Sequence, residues 1–520
     1  MIMKKKLSDT KNFYLIIIAL YSFLINFYYA DFGVFPIDTF LHYDAGFRVL
    51  KNEFPVKDFW IVSGFIVDFI QALFFKVFGV SWVSYKIHAS TFNLILTIFS
   101  FYFFLNLGLS NLNSLIYSIC FATLAYTISG TPFVDLHASF FLLLSTFILI
   151  IAITNSKKYL WFIVVSLFFL SFLSKQVPFA YAVILQGPII IYFMVKKMNY
   201  NENIFIGFVI FFITVGFVIF LKFLNIDISL FLIEYVIYPS EIGSGRFNFF
   251  DISLESFFNK FKFLILPILL CFILQIKTYL KKKKFLDPSN LFKYFLILSL
   301  SICLLIHQLM TKNQIYIYFL VPLLFSILDR HINYIFKKNN FISLILLISL
   351  ILITFKYHLR FNESRKFHEL ENVKLTDSIR AETIHSSLKG NLWINPHFKG
   401  TPRQEVITIK RSLDEIEKVK EEIMLISNYS FLDSITKKNM NTPVRALTLD
   451  GTTYPRLDNK MASAYKSFFN EIIKNKNIKK IYLLKHENLP QNIITEYISI
   501  ECYDYYENTL FKIFEIQCLK

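Results

Sequence analysis

The stretch from Ile204 to Leu221 reads IFIGFVIFFITVGFVIFL. It carries no charged side chain, and a helix of about 20 such residues matches the hydrocarbon thickness of a bilayer. A helix that is apolar on every side has no face to offer water, so its surroundings must be lipid or a large protein core. Similar runs recur along the chain at 13–30, 87–108, 113–129, 138–154, 159–174, 178–195, 203–223, 262–276, 293–308, 314–328 and 341–356. They predict an α-helical polytopic membrane protein with roughly eleven spans, several of them short of the full bilayer length. The first run is too long for the apolar core of a secretory signal, so it is read as an uncleaved span.

Composition agrees. Of 520 residues, 55% are hydrophobic and 62 are phenylalanine, with a mean hydropathy of +0.51; an ordinary soluble domain is about 45–50% apolar. The net charge of +17 would suggest a nucleic-acid partner in a soluble chain. Here the lysine clusters lie between apolar runs, which points to lipid headgroups and to no nucleic acid. Lys4-Lys5-Lys6, Lys157-Lys158, Lys196-Lys197, Lys281 to Lys284, and Arg330 with Lys337-Lys338 all fall on one side of an odd-numbered set of spans. The positive-inside rule makes that side the cytoplasm. The chain is therefore expected to be multi-pass in a bacterial inner membrane, with a cytoplasmic N-terminus and a periplasmic or extracellular C-terminal part. Low glycine with abundant Phe, Ile, Lys and Asn is compatible with an AT-rich bacterial genome.

Two domains are predicted, a membrane domain over 1–356 and a soluble α/β domain over 357–520. The segment 61–79 carries Asp68 and Lys76 and would invert every later loop if it crossed, so it is read as a helix lying at the interface, as is 38–52. Pro55 marks the break between them. In the terminal part, 422–427 and 480–484 read as buried strands, and 403–421 and 459–475 as amphipathic helices. Alternation of the two suggests a small α/β sheet. The run Asp450 to Pro455 reads as a turn, with a binding loop as its alternative. Cys502 and Cys518 lie on two runs able to form a hairpin; a disulfide and two unpaired thiols both stay open.

Ionisable residues are scarce in the apolar part, which makes those at its outer rim the candidates for chemistry. Asp44 lies on the first interfacial helix, where it is either a working carboxylate or part of a solvated polar face. Asp135 and His137 lie two residues apart in a short outer loop, as an acid–base pair, a cation ligand set, or simply hydrated residues. Lys175-Gln176 stands between two apolar runs on the outer side, where a lysine either meets an anionic group or snorkels to headgroups. Arg246 follows Gly243-Ser244-Gly245, a weak phosphate-binding pattern. No Cys/His spacing of the zinc type occurs.

The first outer loop, Asp44-Ala45-Gly46-Phe47-Arg48-Val49-Leu50, then Phe54 to Trp60, Ser63-Gly64 and Val77-Phe78-Gly79-Val80-Ser81, resembles that of membrane glycosyltransferases of the GT-C fold, including the protein O-mannosyltransferase-like and RgtA/B/C/D-like families. Ser174-Lys175-Gln176 and Asp135 are similar to a lysine segment and a second acidic residue in those proteins. The likeness covers the first half of the membrane part. It implies transfer of a sugar from a polyprenyl-phosphate-linked donor to a glycan, lipid or protein acceptor on the outer face, with inversion. It makes Asp44 the general base, Asp135 and His137 assistants or ligands of a possible divalent cation, and Lys175, Gln176 and Arg246 donor-binding residues. The adjacent acidic pair of the family is replaced here by His42-Tyr43-Asp44. A transporter or lipid flippase, and a non-catalytic scaffold of the same fold, are the alternatives.

Overall fold

The computed structural model describes residues 2–517 apart from 156, 199, 250–251, 283–289, 312–315, 336–339, 366–369, 437, 487 and 500–502. The chain is mostly helical, with a small C-terminal sheet. The principal helices are α1 (Ile2–Tyr29), α2 (Leu41–Leu50), α3 (Phe65–Phe78), α4 (Trp82–Asn106), α5 (Asn111–Leu124), α6 (Val134–Asn155), α7 (Leu160–Ser174), α8 (Gln176–Lys197) and α9 (Tyr200–Phe223). They continue with α10 (Lys260–Lys282), α11 (Leu291–Thr311), α12 (Leu320–Ile335), α13 (Asn340–Tyr357), α14 (Pro402–Glu417) and α15 (Ala462–Asn475).

Among the described residues, eight helices are long and apolar enough to cross a membrane: those of α1, α4, α6, α8, α9, α10, α11 and α13. On α8 and α9 the apolar faces are bare: Ile184, Val195, Phe208, Phe212 and Phe223 are all well exposed. Exposed apolar area on this scale needs a covering, and lipid supplies it. Each of the eleven apolar runs contains a helix among its described residues, yet α5, α7 and α12 have 14, 15 and 16 residues. At 1.5 Å per residue they fall short of the hydrocarbon layer. In α12 every residue from Leu320 to Asp329 is buried, so its apolarity serves protein packing.

The chain divides into two compact units. The first comprises Met1–Ala30, Lys86–Thr214 and Arg246–Phe367. Within it α6 packs against α7 and α8, α11 against α8, and α12 against α10 and α13. One apolar core runs through these helices, with Phe121, Phe140, Leu304 and Phe319 fully buried. The second unit comprises Asp31–Tyr85, Val215–Gly245 and His368–Lys520. The loop containing α2 and α3 thus clusters with the terminal residues, a grouping that hydropathy along the chain does not announce.

In the second unit, β1 (Ile379–Arg380) pairs antiparallel with β2 (Leu392–Trp393). A four-stranded sheet contains β3 (Ile423–Ile426), β4 (Lys480–Leu484), β5 (Tyr503–Glu507) and β6 (Phe511–Ile516) in the order β3-β4-β6-β5. Only β3 and β4 run parallel, with Ile423 opposite Lys480 and Ile426 opposite Leu483. Their side chains are almost wholly buried, as expected of parallel strands covered on both faces, although β3 lies at the edge of the sheet. The helix α14 starts at a capping box: the Thr401 side chain accepts from the Gln404 N–H, the Gln404 side chain accepts from the Thr401 N–H, and Pro402 occupies the first turn. Its Val406, Ile409, Leu413 and Ile416 stripe faces the core. Gly451, at φ 70°, sits in a turn. Cys502 and Cys518 lie outside the described residues, so their pairing does too.

Candidate functional site

Helix α2 carries an unbroken buried run from His42 to Val49. Asp44 is 2% exposed, so the solvated-face alternative does not describe it. Arg48 lies one turn along the same helix face. Its guanidinium is occupied elsewhere: Nε donates to Glu53 Oε2 at 2.9 Å, and the terminal nitrogens donate to the carbonyls of Thr442 at 2.9 Å and Asp58 at 3.2 Å. Lys476 Nζ completes this group, 3.1 Å from Glu53 Oε1 and 3.2 Å from Asp58 Oδ1. Asp44 is left with a buried Oδ1 that has no hydrogen-bond partner among the described residues. Burial pushes its carboxyl up to about 7; the Arg48 charge opposes that rise, and Glu53 and Asp68 add to it.

Asp68, on α3, accepts from Arg445 at Oδ2 and lies 2.6 Å from His42 Nδ1 at Oδ1. A parallel bridge delivers Arg445: the Trp60 N–H donates to Pro443 O at 2.9 Å, and the Arg445 N–H donates to Trp60 O at 3.1 Å. Burial raises the Asp68 carboxyl to about 7 against the pull of Arg445. Burial, with Arg445 nearby, drives the His42 imidazole well below its ordinary value, so the ring is neutral. Its Nε2 is buried without a partner.

Two further carboxyls join this unit. Asp433 lies within electrostatic reach of Asp44 and is pushed well above the carboxylate range, chiefly by burial and then by Asp44. Glu234 accepts the Ile61 N–H at 2.9 Å and is raised well above its usual value by burial. Asp44, Asp68, Asp433, Glu234 and Glu53 against Arg48, Arg445 and Lys476 make a buried group rich in protonatable carboxyls, the condition under which a carboxylate works near neutral pH.

In the first unit, Asp135 begins α6 instead of lying in a loop. Its Oδ2 is 2.7 Å from Lys175 Nζ and its Oδ1 is 2.7 Å from His307 Nε2. The structure does not bring Asp135 and His137 together as a pair. In a helix, residues two apart point to different sides; His137 turns to His88, with 3.0 Å between their Nε2 atoms, and to Tyr126, whose hydroxyl is 2.6 Å from Nδ1. Lys175 is the extended residue joining α7 to α8, and Gln176 opens α8, half-buried. Arg246 is half-buried in a short 3-10 turn within electrostatic reach of Tyr181 and His307, and forms no hydrogen bond or ion pair with the described residues. Gly243 and Gly245 belong to the helix Tyr238–Gly245, so the open glycine loop expected before Arg246 is absent: helical amides are already committed to the backbone.

His307, Arg445 and Asp433 were not singled out from sequence. His307 had a signal, an imidazole in an otherwise apolar run. Asp68 entered only as an objection to a span. Arg445 and Asp433 carry no local pattern. Among the described residues, no three His, Cys, Asp or Glu side chains are grouped as a metal ion requires. No protein-family model matches the chain, and no curated protein matches it.

Proposed function

We propose that this chain is an integral membrane glycosyltransferase of the GT-C fold, with roughly eleven membrane segments, moving a sugar from a polyprenyl-phosphate-linked donor to an acceptor at the outer membrane–water interface. One observation carries the reading. Asp44 is a buried carboxylate with an unpartnered oxygen, and its proton affinity lies close to neutral pH. A base with that affinity accepts the acceptor hydroxyl proton as the oxygen attacks the anomeric carbon. The bond from that carbon to the phosphate oxygen breaks, and the polyprenyl phosphate departs with the electron pair. Inversion follows from a single displacement. Lys175 and the unpartnered Arg246 are the cations assigned to the phosphate, with Gln176 beside Lys175; Asp135 and His307 hold the lysine head in position.

Orientation, with the N-terminus cytoplasmic and the terminal part periplasmic, belongs to the same proposal, as does the bacterial inner membrane. A transporter is the second reading, favoured by the buried Asp135–Lys175–His307 group at the ends of apolar helices. The deciding experiment supplies purified protein with polyprenyl-phosphate-linked sugars and follows sugar release and transfer. Turnover abolished in Asp44→Asn supports the proposal; unchanged turnover in that variant removes Asp44 from the base role. Absence of turnover together with substrate uptake in proteoliposomes favours the transporter.

A further inference from the structure

A second site lies at the carboxyl ends of β3 and β4. Asn428 follows β3 by two residues, and His486 follows β4 by two. Loops leaving adjacent parallel strands at this end form the usual ligand crevice of open α/β sheets. Here they border a notch of about 10 Å³, lined by Phe35, Asn395, Asn428, Tyr429, His486 and Asn488, among others. That is room for one water-sized group, such as a single hydroxyl.

The notch is built, not incidental. Behind it Glu405 is fully buried and accepts three hydrogen bonds, from Trp393 Nε1 at 2.8 Å, Asn395 Nδ2 at 2.7 Å and the Tyr429 hydroxyl at 2.9 Å. Two of the lining side chains are thereby held by a carboxylate that never reaches the surface, the kind of supporting layer that fixes a recognition site. The Asn428 amide donates to His486 Nδ1 at 3.1 Å, and the Asn488 N–H points to the same nitrogen at 3.2 Å. A nitrogen that accepts from a backbone N–H carries the lone pair, so the neutral ring holds its proton on Nε2 as a donor. Asn428 is 9% exposed, and its Oδ1 is a buried acceptor with no partner among the described residues. An orphaned buried acceptor in a native structure calls for an explanation, and a donor from outside the chain, a water or a ligand hydroxyl, supplies one.

The lining also restricts the class of ligand. Every polar group named on the notch wall is an amide, imidazole or phenol, and the carboxylate of Glu405 behind it already accepts from three donors. Among the described residues that line it, neither a phosphate nor a metal cation finds a formal countercharge. Directional donors and acceptors beside an aromatic ring suit a neutral, hydroxyl-bearing ligand. Phe35 lies with its ring centroid 4.5 Å from that of His397, giving the rim an aromatic surface. We propose that this crevice binds a saccharide, one hydroxyl entering the notch to meet Asn428 while the sugar ring rests against the aromatic rim.

The inference is independent of the transfer reading, because binding is measured without turnover. Full-length protein in detergent is presented with glucose, mannose, galactose and N-acetylglucosamine singly, and contact is read by saturation-transfer difference NMR. At least one sugar is expected to show transfer, with Asn428→Ala and Asn488→Ala each weakening it roughly five- to tenfold, the loss of one neutral hydrogen bond. Lys480→Gln, at the opposite end of β4, is expected to leave it unchanged. Should Asn428→Ala lower the melting temperature, Asn488→Ala decides, since its side chain makes only a 3.5 Å contact to His397 O. No transfer from any of the four sugars, transfer that survives both asparagine variants, or transfer abolished by inorganic phosphate would overturn the proposal.

Discussion

Arg445 donates a guanidinium hydrogen to Oδ2 of Asp68, 377 residues away in sequence, and both side chains are buried. Removing one member of such a pair leaves an uncompensated charge in a poorly solvated place, which costs about 3–5 kcal/mol. Arg445→Met is therefore expected to lower the thermal transition in detergent sharply. The double variant Arg445→Met, Asp68→Leu is expected to recover a large part of the loss. Equal losses in the single and double variants would show that packing, not charge, is what Arg445 contributes.

Asp44 titrates near 7 in the folded chain against an ordinary 3.8. Between those values the folded state holds the proton more tightly than the unfolded state does, so its contribution to stability is greatest below about pH 4 and falls as pH rises to about 7. Asp44→Asn is expected to flatten that part of the stability profile and to exceed the unaltered protein in stability at pH 8, by about 1.4 kcal/mol for every tenfold difference in proton affinity between the folded and unfolded chains. Asp68, raised the same way, keeps part of the slope in the variant. Melting curves from pH 4 to pH 8 check this. If Asp44 is the base, transfer activity climbs with pH through about 7 and Asp44→Asn loses a factor of roughly 10²–10⁴.

Lys175 Nζ and His307 Nε2 both reach Asp135, each at 2.7 Å. Lys175→Met leaves the buried carboxylate with one partner and is expected to cost roughly 2 kcal/mol, the worth of a hydrogen bond to a charged group. Combining it with Asp135→Asn is expected to cost less than the sum of the two single changes, because both act on one interaction. Additive losses would mean that the pair is not coupled. If the lysine also meets the donor phosphate, Lys175→Met raises the KM for the lipid-linked sugar, an effect that stability alone does not produce.

Gly130 has φ 71°, and a Cβ there would lie 2.6 Å from the Ala30 Cα and 3.0 Å from its nitrogen. Both backbones are fixed: the Ala30 N–H donates to Asn26 O at 3.0 Å, and the Asn26 side-chain amide donates to Gly130 O at 3.2 Å. Gly130→Ala combines left-handed backbone strain with a clash and is expected to destabilise by roughly 2–3 kcal/mol. Gly207→Ala, on α9, meets nothing within 4 Å and is expected to stabilise by about 0.5–1 kcal/mol, because alanine is the better helix former. Thermal transitions of the two variants in the same detergent compare them directly.

Local physics made much of the architecture legible in the sequence. Runs such as Ile204 to Leu221 form helices because an apolar chain must satisfy its own backbone hydrogen bonds. The strands at 423–426 and 480–484 follow from patterns a few residues long. Residue type likewise singled out Asp44, Asp135, Lys175 and Arg246 as scarce charges in an apolar chain. The runs at 113–129, 159–174 and 314–328 are already shorter in sequence than a bilayer's thickness. The sequence did not show that the last of them is buried in protein from Leu320 to Asp329. Nor could it show that α2 is buried on all sides around Asp44, that Asp135 and His137 part company on a helix, or that the partners are Asp68 with Arg445 and Asp135 with His307. Periodicity acts over a turn or two of helix, whereas those pairs are 377 and 172 residues apart and meet only when distant segments pack. Burial, which sets the proton affinity of Asp44, is a property of that packing, and so only the tertiary structure decides it.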